Sequence, residues 1–152
     1  MNTIRDVLDH KGTRVCTIPR ASTIDQAVAL MCHWRVGALL VYTNTPPSEG
    51  EPLGILSERD VMTRVLLEKR DPAKTRVEEA MTREVVCIGS NLRIEGAMGI
   101  MTEKRCRHLP VIDAGRVIGV VSIGDLVRAI GIEQSCEIRT LTEYIGGASS
   151  SL

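Results

Sequence analysis

The feature that most constrains this chain is an internal repeat. The run Val15-Cys16-Thr17-Ile18 is answered by Val85-Val86-Cys87-Ile88, an offset of 70 residues from Ile18 to Ile88. Both runs are short and rich in β-branched residues, as strands are. Each is followed by apolar residues at helical spacing, Ile24, Ala27, Val28 and Met31 in one half and Ile94, Ala97, Met98 and Met101 in the other. The offset persists through Arg35 and Arg105 into two further strands, Leu39-Leu40-Val41-Tyr42 and Leu109-Pro110-Val111-Ile112. It then drops to 65, since Gly54-Ile55-Leu56-Ser57 answers Gly119-Val120-Val121-Ser122. A five-residue insertion among the turn formers between Tyr42 and Gly54 accounts for the change and lengthens a surface hairpin.

Each half closes with a second helix, expected over Glu58 to about Lys69 and over Ile123 to about Ile130. The order per half is therefore β-α-β-β-α. A helix between the first two strands makes them parallel, and the short Asp113-Ala114-Gly115-Arg116 link makes the next pair an antiparallel hairpin. The fold class is α+β: two mixed three-stranded units related by a pseudo-twofold axis and packed into one module, because a half of roughly sixty residues is marginal alone. The expected division is residues 1–70 for the first unit with an N-terminal helix, and 71–131 for a linker and the second unit. Residues 132–152 follow, with an amphipathic helix from Ile132 to Ile145 and a disordered tail from Gly146.

Composition removes several function classes. Nineteen basic residues balance nineteen acidic ones, so no overall field draws in nucleic acid or an anionic membrane. One Trp, two Tyr and no Phe leave few platforms for stacking single-stranded bases. The N-terminus is polar and no apolar run approaches the length of a bilayer span, so the expected compartment is the cytosol. Five cysteines, an odd number without a C-x-x-C pair, indicate neither a disulfide framework nor a zinc site. No Gly-rich phosphate loop, G-x-S-x-G or metal-ligand spacing appears, and His10 and His33 have no ligand-like partners.

The polar residues that recur are Ser57-x-x-Asp60 and Ser122-x-x-Asp125, each directly after the third strand of its unit. Ser-x-x-Asp is the form of a capping box, and any one copy is explained by helix capping; Ser22-Thr23-Ile24-Asp25 has the same form. Position adds a second possibility. A helix start that opens onto the cleft between the halves offers free N–H groups and a hydroxyl, and a carboxylate there can accept both hydroxyls of a vicinal diol such as a ribose.

The doubled G-h-h-S-x-x-D pattern, with Arg107-His108-Leu109-Pro110-Val111 before the second hairpin, resembles the tandem CBS-domain (Bateman) module of stand-alone bacterial proteins, over about residues 3 to 131. That resemblance implies a non-catalytic regulatory protein whose clefts hold an adenosine-containing ligand, AMP foremost, with ADP, ATP, NAD or S-adenosylmethionine as alternatives. It also implies a homodimer acting on a downstream protein. By the resemblance, Asp60 and Asp125 accept the ribose, and Ser57 and Ser122 donate to ribose or phosphate. Thr17, Ile18, Cys87 and Ile88 offer backbone to the adenine edge, and Gly37 and Ala38 let a purine lie close. Cations for phosphate differ between the halves: Arg59 in the first, Arg107 and His108 in the second, with solvated surface positions the plain alternative. Cys87 stands where Thr17 supplies a hydroxyl, which weakens any side-chain bond there. Two other readings stay open: a constitutive dimerisation scaffold, and a thiol redox sensor through Cys106, whose neighbours Arg105 and Arg107 would lower its pKa.

Overall fold

The computed structural model describes residues 2–44 and 51–150. Most of the expected hairpin insertion thus lies outside the described residues. Helix α1 (Ile4–Lys11) starts at a capping box between Thr3 and Asp6. The first unit contains β1 (Thr17–Pro19), α2 (Ile24–Trp34), β2 (Ala38–Tyr42), β3 (Gly54–Ser57) and α3, which begins over Glu58–Asp60. After α4 (Val77–Ala80), the second unit contains β4 (Ile88–Gly89), α5 (Ile94–Lys104), β5 (His108–Asp113), β6 (Arg116–Ser122) and α6 (Ile123–Ser150).

The sheets have the expected mixed topology. β1 runs parallel to β2, with Thr17 opposite Leu40, and β2 antiparallel to β3, with Ala38 opposite Ser57. β4 runs parallel to β5, with Ile88 opposite Val111, and β5 antiparallel to β6, with His108 opposite Ser122. The β5–β6 turn places Ala114 at φ 50° and Gly115 at φ 77°, the two positive values of a type I′ hairpin. The repeat reaches the helix ends: Arg35 and Arg105 both close their helices in the left-handed conformation, bonding to the carbonyls of Met31 and Met101.

The helices preceding the units are exchanged between them. The Ile4 N–H donates to Leu92 O and that of Ile94 to Asn2 O, while the Val77 N–H donates to Ser22 O and that of Ile24 to Thr75 O. Thus α1 closes the second unit and α4 closes the first. The cores follow this pairing. Ile4, Val7 and Leu8 are buried with Leu109, Val111, Val121 and Leu126, whereas Val77, Ala80 and Met81 are buried with Leu39, Val41, Leu56 and Val65. The sequence division that assigns the N-terminal helix to the first unit follows chain order; the packing does not. The glycine opening each G-h-h-S motif makes the exchange possible. A Cβ on Gly119 would lie 2.7 Å from Leu8 Cδ2, and one on Gly54 would lie 2.8 Å from the Thr82 carbonyl oxygen.

Three local expectations are corrected. The cap of α2 is Thr23 with Gln26, not Ser22 with Asp25, because the Ser22 N–H is turned back onto Pro19 O and the helix starts one residue later. The second helix of the first unit does not reach Lys69 as an α-helix. It widens into π-helix over Val61–Leu66, with five-residue bonds such as Leu67 N–H to Met62 O and Arg70 N–H to Val65 O. In the second unit, α6 runs without a break from Ile123 to Ser150, where a stop near Ile130, a separate helix and a disordered tail are expected. Gly131 alone, at about 1 kcal/mol against Ala, does not end a helix that meets no proline.

Candidate functional site

The two Ser-x-x-Asp motifs both form capping boxes, and they differ in what else each aspartate meets. In the first unit, Asp60 Oδ2 accepts from the Ser57 N–H at 3.0 Å and the Ser57 hydroxyl at 3.1 Å, and Asp60 N–H donates to Ser57 Oγ at 3.2 Å. Thr82, just beyond α4, donates its hydroxyl to Asp60 Oδ1 at 3.1 Å, and the residue is buried. In the second unit, Asp125 Oδ2 accepts from the Ser122 N–H at 2.8 Å, and Asp125 N–H donates to Ser122 Oγ at 3.1 Å. Here the end of α1 supplies the further partner: Lys11 Nζ lies 2.6 Å from Asp125 Oδ2 and 2.7 Å from Val120 O. The exchanged helix therefore meets a neutral hydroxyl with Asp60 and a cation with Asp125.

Asp125 also faces a cleft of about 200 Å³ between the units. The second unit contributes His108, Val120, Ser122 and Asp125, and the first contributes Cys16, Val36, Gly37 and Ala38. Lys11, Arg14 and Arg35 line it as well, so three cations surround one carboxylate. The Arg14 guanidinium rests 4.4 Å from the centre of the Trp34 ring. Gly37 is a true close approach: a Cβ there would lie 2.5 Å from Glu58 Oε1 and 3.1 Å from His108 Nε2. Its carbonyl accepts from the Glu58 N–H, just as the Arg107 carbonyl accepts from the Ile123 N–H.

Of the residues singled out from sequence, Gly37, Ala38, His108, Ser122 and Asp125 are brought together on this cleft. Ile18 and Ile88 are buried in the two cores, and Thr17 is half-buried beside Cys16, which lines the cleft in its place. Ser57 and Asp60 are engaged with each other and Thr82, while Arg59 and Arg107 are exposed, and Cys87 lies away from the cleft walls. Sequence reasoning missed Lys11 and Arg14, and used Arg35 only to trace the repeat. The exchange of α1 brings Lys11 here, and no repeat of its own sequence announces it.

Electrostatics distinguish the ionisable groups. Burial pushes the Asp125 carboxyl up, but the Lys11 bond and the Ser122 N–H outweigh it and hold it below the ordinary aspartate value. Burial pulls the His108 imidazole below its ordinary 6.5; Lys11 and Arg107 act the same way, and Glu58 and Asp125 oppose them. A histidine with a depressed folded-state pKa binds fewer protons folded than unfolded, so its share of stability is intact above about pH 6.5 and falls as pH drops toward the lower folded value. The urea midpoint is therefore expected to fall between about pH 7.5 and about pH 5.5, and to fall less in His108→Gln. Equal falls in the two proteins would assign the acid sensitivity elsewhere.

The setting of Cys106 is not the one the redox reading requires. Burial pushes Cys106 above its ordinary value, opposed only in part by a backbone bond and Lys104. Arg105 and Arg107 flank it in sequence, and the desolvation around it outweighs the positive charge nearby. Cys16 and Cys87 are raised by burial too. Among the described residues, no group of three or more His, Cys, Asp or Glu side chains is arranged to hold a metal ion, and no helix is long and apolar enough to cross a membrane.

Comparison with known proteins gives one consistent result. The family model for the CBS domain matches twice, over residues 3–67 and 77–132. The mitochondrial CBS domain-containing protein CBSX3 of Arabidopsis thaliana is 37% identical over 154 residues, covering 95% of this chain and 72% of the relative. A Burkholderia ambifaria protein, described as a candidate signal-transduction protein with CBS domains, has a solved structure that superposes with a TM-score of 0.78 at 37% identity, over 84% of this chain and 93% of the other. A hexameric CBS-CP12 protein from bloom-forming cyanobacteria superposes with a TM-score of 0.72 at 28% identity, over 82% of this chain and 70% of the other.

Proposed function

This chain belongs to the CBS-domain family, as a tandem pair in one polypeptide, and on that premise we propose that it is a regulatory, non-catalytic module that binds an adenine nucleotide in the cleft at Asp125. The observation that carries the reading is the meeting of Ser122 and Asp125 from one unit with Gly37 and Ala38 from the other, ringed by Lys11, Arg14 and Arg35. Asp125 accepts the ribose diol, the base takes the wall of Cys16, Val36 and Ala38, since Glu58 and His108 already fill the space beside Gly37, and the cations take phosphate. AMP is the first choice, and ADP, ATP, NAD and S-adenosylmethionine compete for the same groups. One site is assigned, because Asp60 spends its oxygens on Ser57 and Thr82. The bound state is read by a downstream protein. Five free cysteines suit a reducing compartment such as the cytosol.

Self-association is part of the reading. Met62 and Leu66 in the π-helical stretch, Leu67 just after it, and Val127, Ile138, Leu141 and Ile145 on α6 leave large apolar side chains exposed. Ile138, Leu141 and Ile145 fall at the three- and four-residue spacing of a helix-pairing seam, and a similar fold forms hexamers. A homodimer covering these faces is the expected assembly.

Thermal melting with AMP, ADP, ATP, NAD and S-adenosylmethionine, with sedimentation equilibrium on the same samples, tests both parts. A ligand at a hundred times its Kd stabilises the folded state by about 2.7 kcal/mol, a readily measured rise in Tm. At least one nucleotide is expected to produce it, on a dimer. No rise with any of the five leaves a constitutive scaffold; a monomer at all concentrations rejects the assembly.

A further inference from the structure

Lys11 occupies the carboxylate that the proposed function assigns to the ribose, and its position carries a consequence for which ligands can enter. The Lys11–Asp125 pair forms a shared wall: both residues line the cleft between the units, and both line a second cavity of about 210 Å³ between α1 and α6, bounded also by His10 and Arg128. Each cavity is smaller than the roughly 300 Å³ at which small-molecule pockets begin, and joined they exceed it. Opening the pair is thus the local change that makes room. Asp125 Oδ2 already accepts from two donors, the Ser122 N–H and Lys11 Nζ. The Ser122 bond belongs to the cap and stays with the helix. The Lys11 bond comes from a side chain a third exposed at the end of α1, whose ammonium also donates to Val120 O and whose four-carbon stem lets it swing once Asp125 is taken.

A neutral nucleoside that displaces Lys11 leaves an ammonium without its anion. A phosphorylated nucleoside brings a replacement anion with it. We infer that Lys11 is a specificity-determining residue that exchanges Asp125 for the ligand phosphate, so that the ion pair excludes nucleosides and admits nucleotides. This rests on the nucleotide-binding reading above. The comparison within the molecule supports it: at the other aspartate the segment after the exchanged helix supplies Thr82, a neutral group, and the cation nearby, Arg64 at 3.9 Å from Asp60 Oδ1, belongs to the aspartate's own helix.

The test is calorimetric titration of the full chain with AMP and with adenosine, in wild type, Lys11→Met and Lys11→Arg. The wild type is expected to prefer AMP over adenosine by tenfold or more. In Lys11→Met that preference shrinks about tenfold, with adenosine binding at least as tightly as to wild type because nothing competes for Asp125. Lys11→Arg restores the preference, and melting of each free variant shows whether it is folded. AMP binding with an unchanged preference in a folded Lys11→Met, or equal weakening of both ligands, overturns the role of Lys11 and leaves the nucleotide-binding reading intact. Failure of both ligands to bind wild type overturns that reading and the exchange together.

Discussion

A chain lacking residues 1–11 is expected to lose cooperative folding of its second unit, although the deletion removes nothing from that unit's own sequence. Ile4, Val7 and Leu8 are 0%, 3% and 2% exposed and sit in the core formed by Leu109, Val111, Val121 and Leu126. Burying side chains of this size contributes about 1.5–3 kcal/mol each, so the three together approach the whole stability of a small domain, about 5–15 kcal/mol. The deletion also strips the partners of the Ile94 N–H and the Leu92 carbonyl and uncovers Gly119. Amide hydrogen exchange resolves the outcome by segment: protection is lost in β5 and β6 while β2 and β3, closed by α4, keep more of theirs. Uniform protection at the wild-type level in both sheets would show that the exchanged helix is dispensable.

Asp125→Ala is expected to weaken AMP binding by a hundredfold or more. Two charge-assisted bonds to a diol are each worth about 1.5–3 kcal/mol before costs, and each 1.4 kcal/mol is a factor of ten. At a concentration giving wild type about 2.7 kcal/mol of ligand stabilisation, a hundredfold loss leaves about 0.4 kcal/mol, and the Tm shift nearly vanishes. Asp60→Ala is the informative contrast. It removes the acceptor of the Thr82 hydroxyl and the Ser57 N–H in a buried setting, so the free protein is expected to lose about 1–3 kcal/mol while its AMP affinity changes by less than about threefold. An Asp125→Ala protein with a full ligand shift, or the two variants losing affinity equally, would contradict the assignment of the site to one cleft.

Much of the architecture was legible because it depends on local periodicity. The strands, the crossover helices, the hairpins and the offset of 70 that becomes 65 all follow from spacing within a half. The helix exchange was not, since Ile4, Val7 and Leu8 make a good apolar face whichever unit receives them. The glycines at 54 and 119 are the residues that hold the missing information: they mark a close approach by another segment, but only the packing identifies it as Leu8 in one case and the Thr82 backbone in the other. The same limit governs the site. Asp125, Ser122, Gly37, Ala38 and His108 lie in motifs the repeat exposes, while Lys11 reaches the cleft only through α1. Cys106 failed in the opposite sense, because charges adjacent in sequence indicate a thiolate only if the thiol is not also desolvated.

The uninterrupted course of α6 has a mechanical meaning. Asp125 stands in its first turn, and Ile138, Leu141 and Ile145 are carried outward on the same rod. With a rise of 1.5 Å per residue, Ile145 lies about 30 Å along the axis from Asp125. A tilt of about 10° at the root sweeps that tip through about 5 Å, roughly the width of one helical turn. Such leverage would turn a small reorientation of the first turn into a whole-register displacement at the far end.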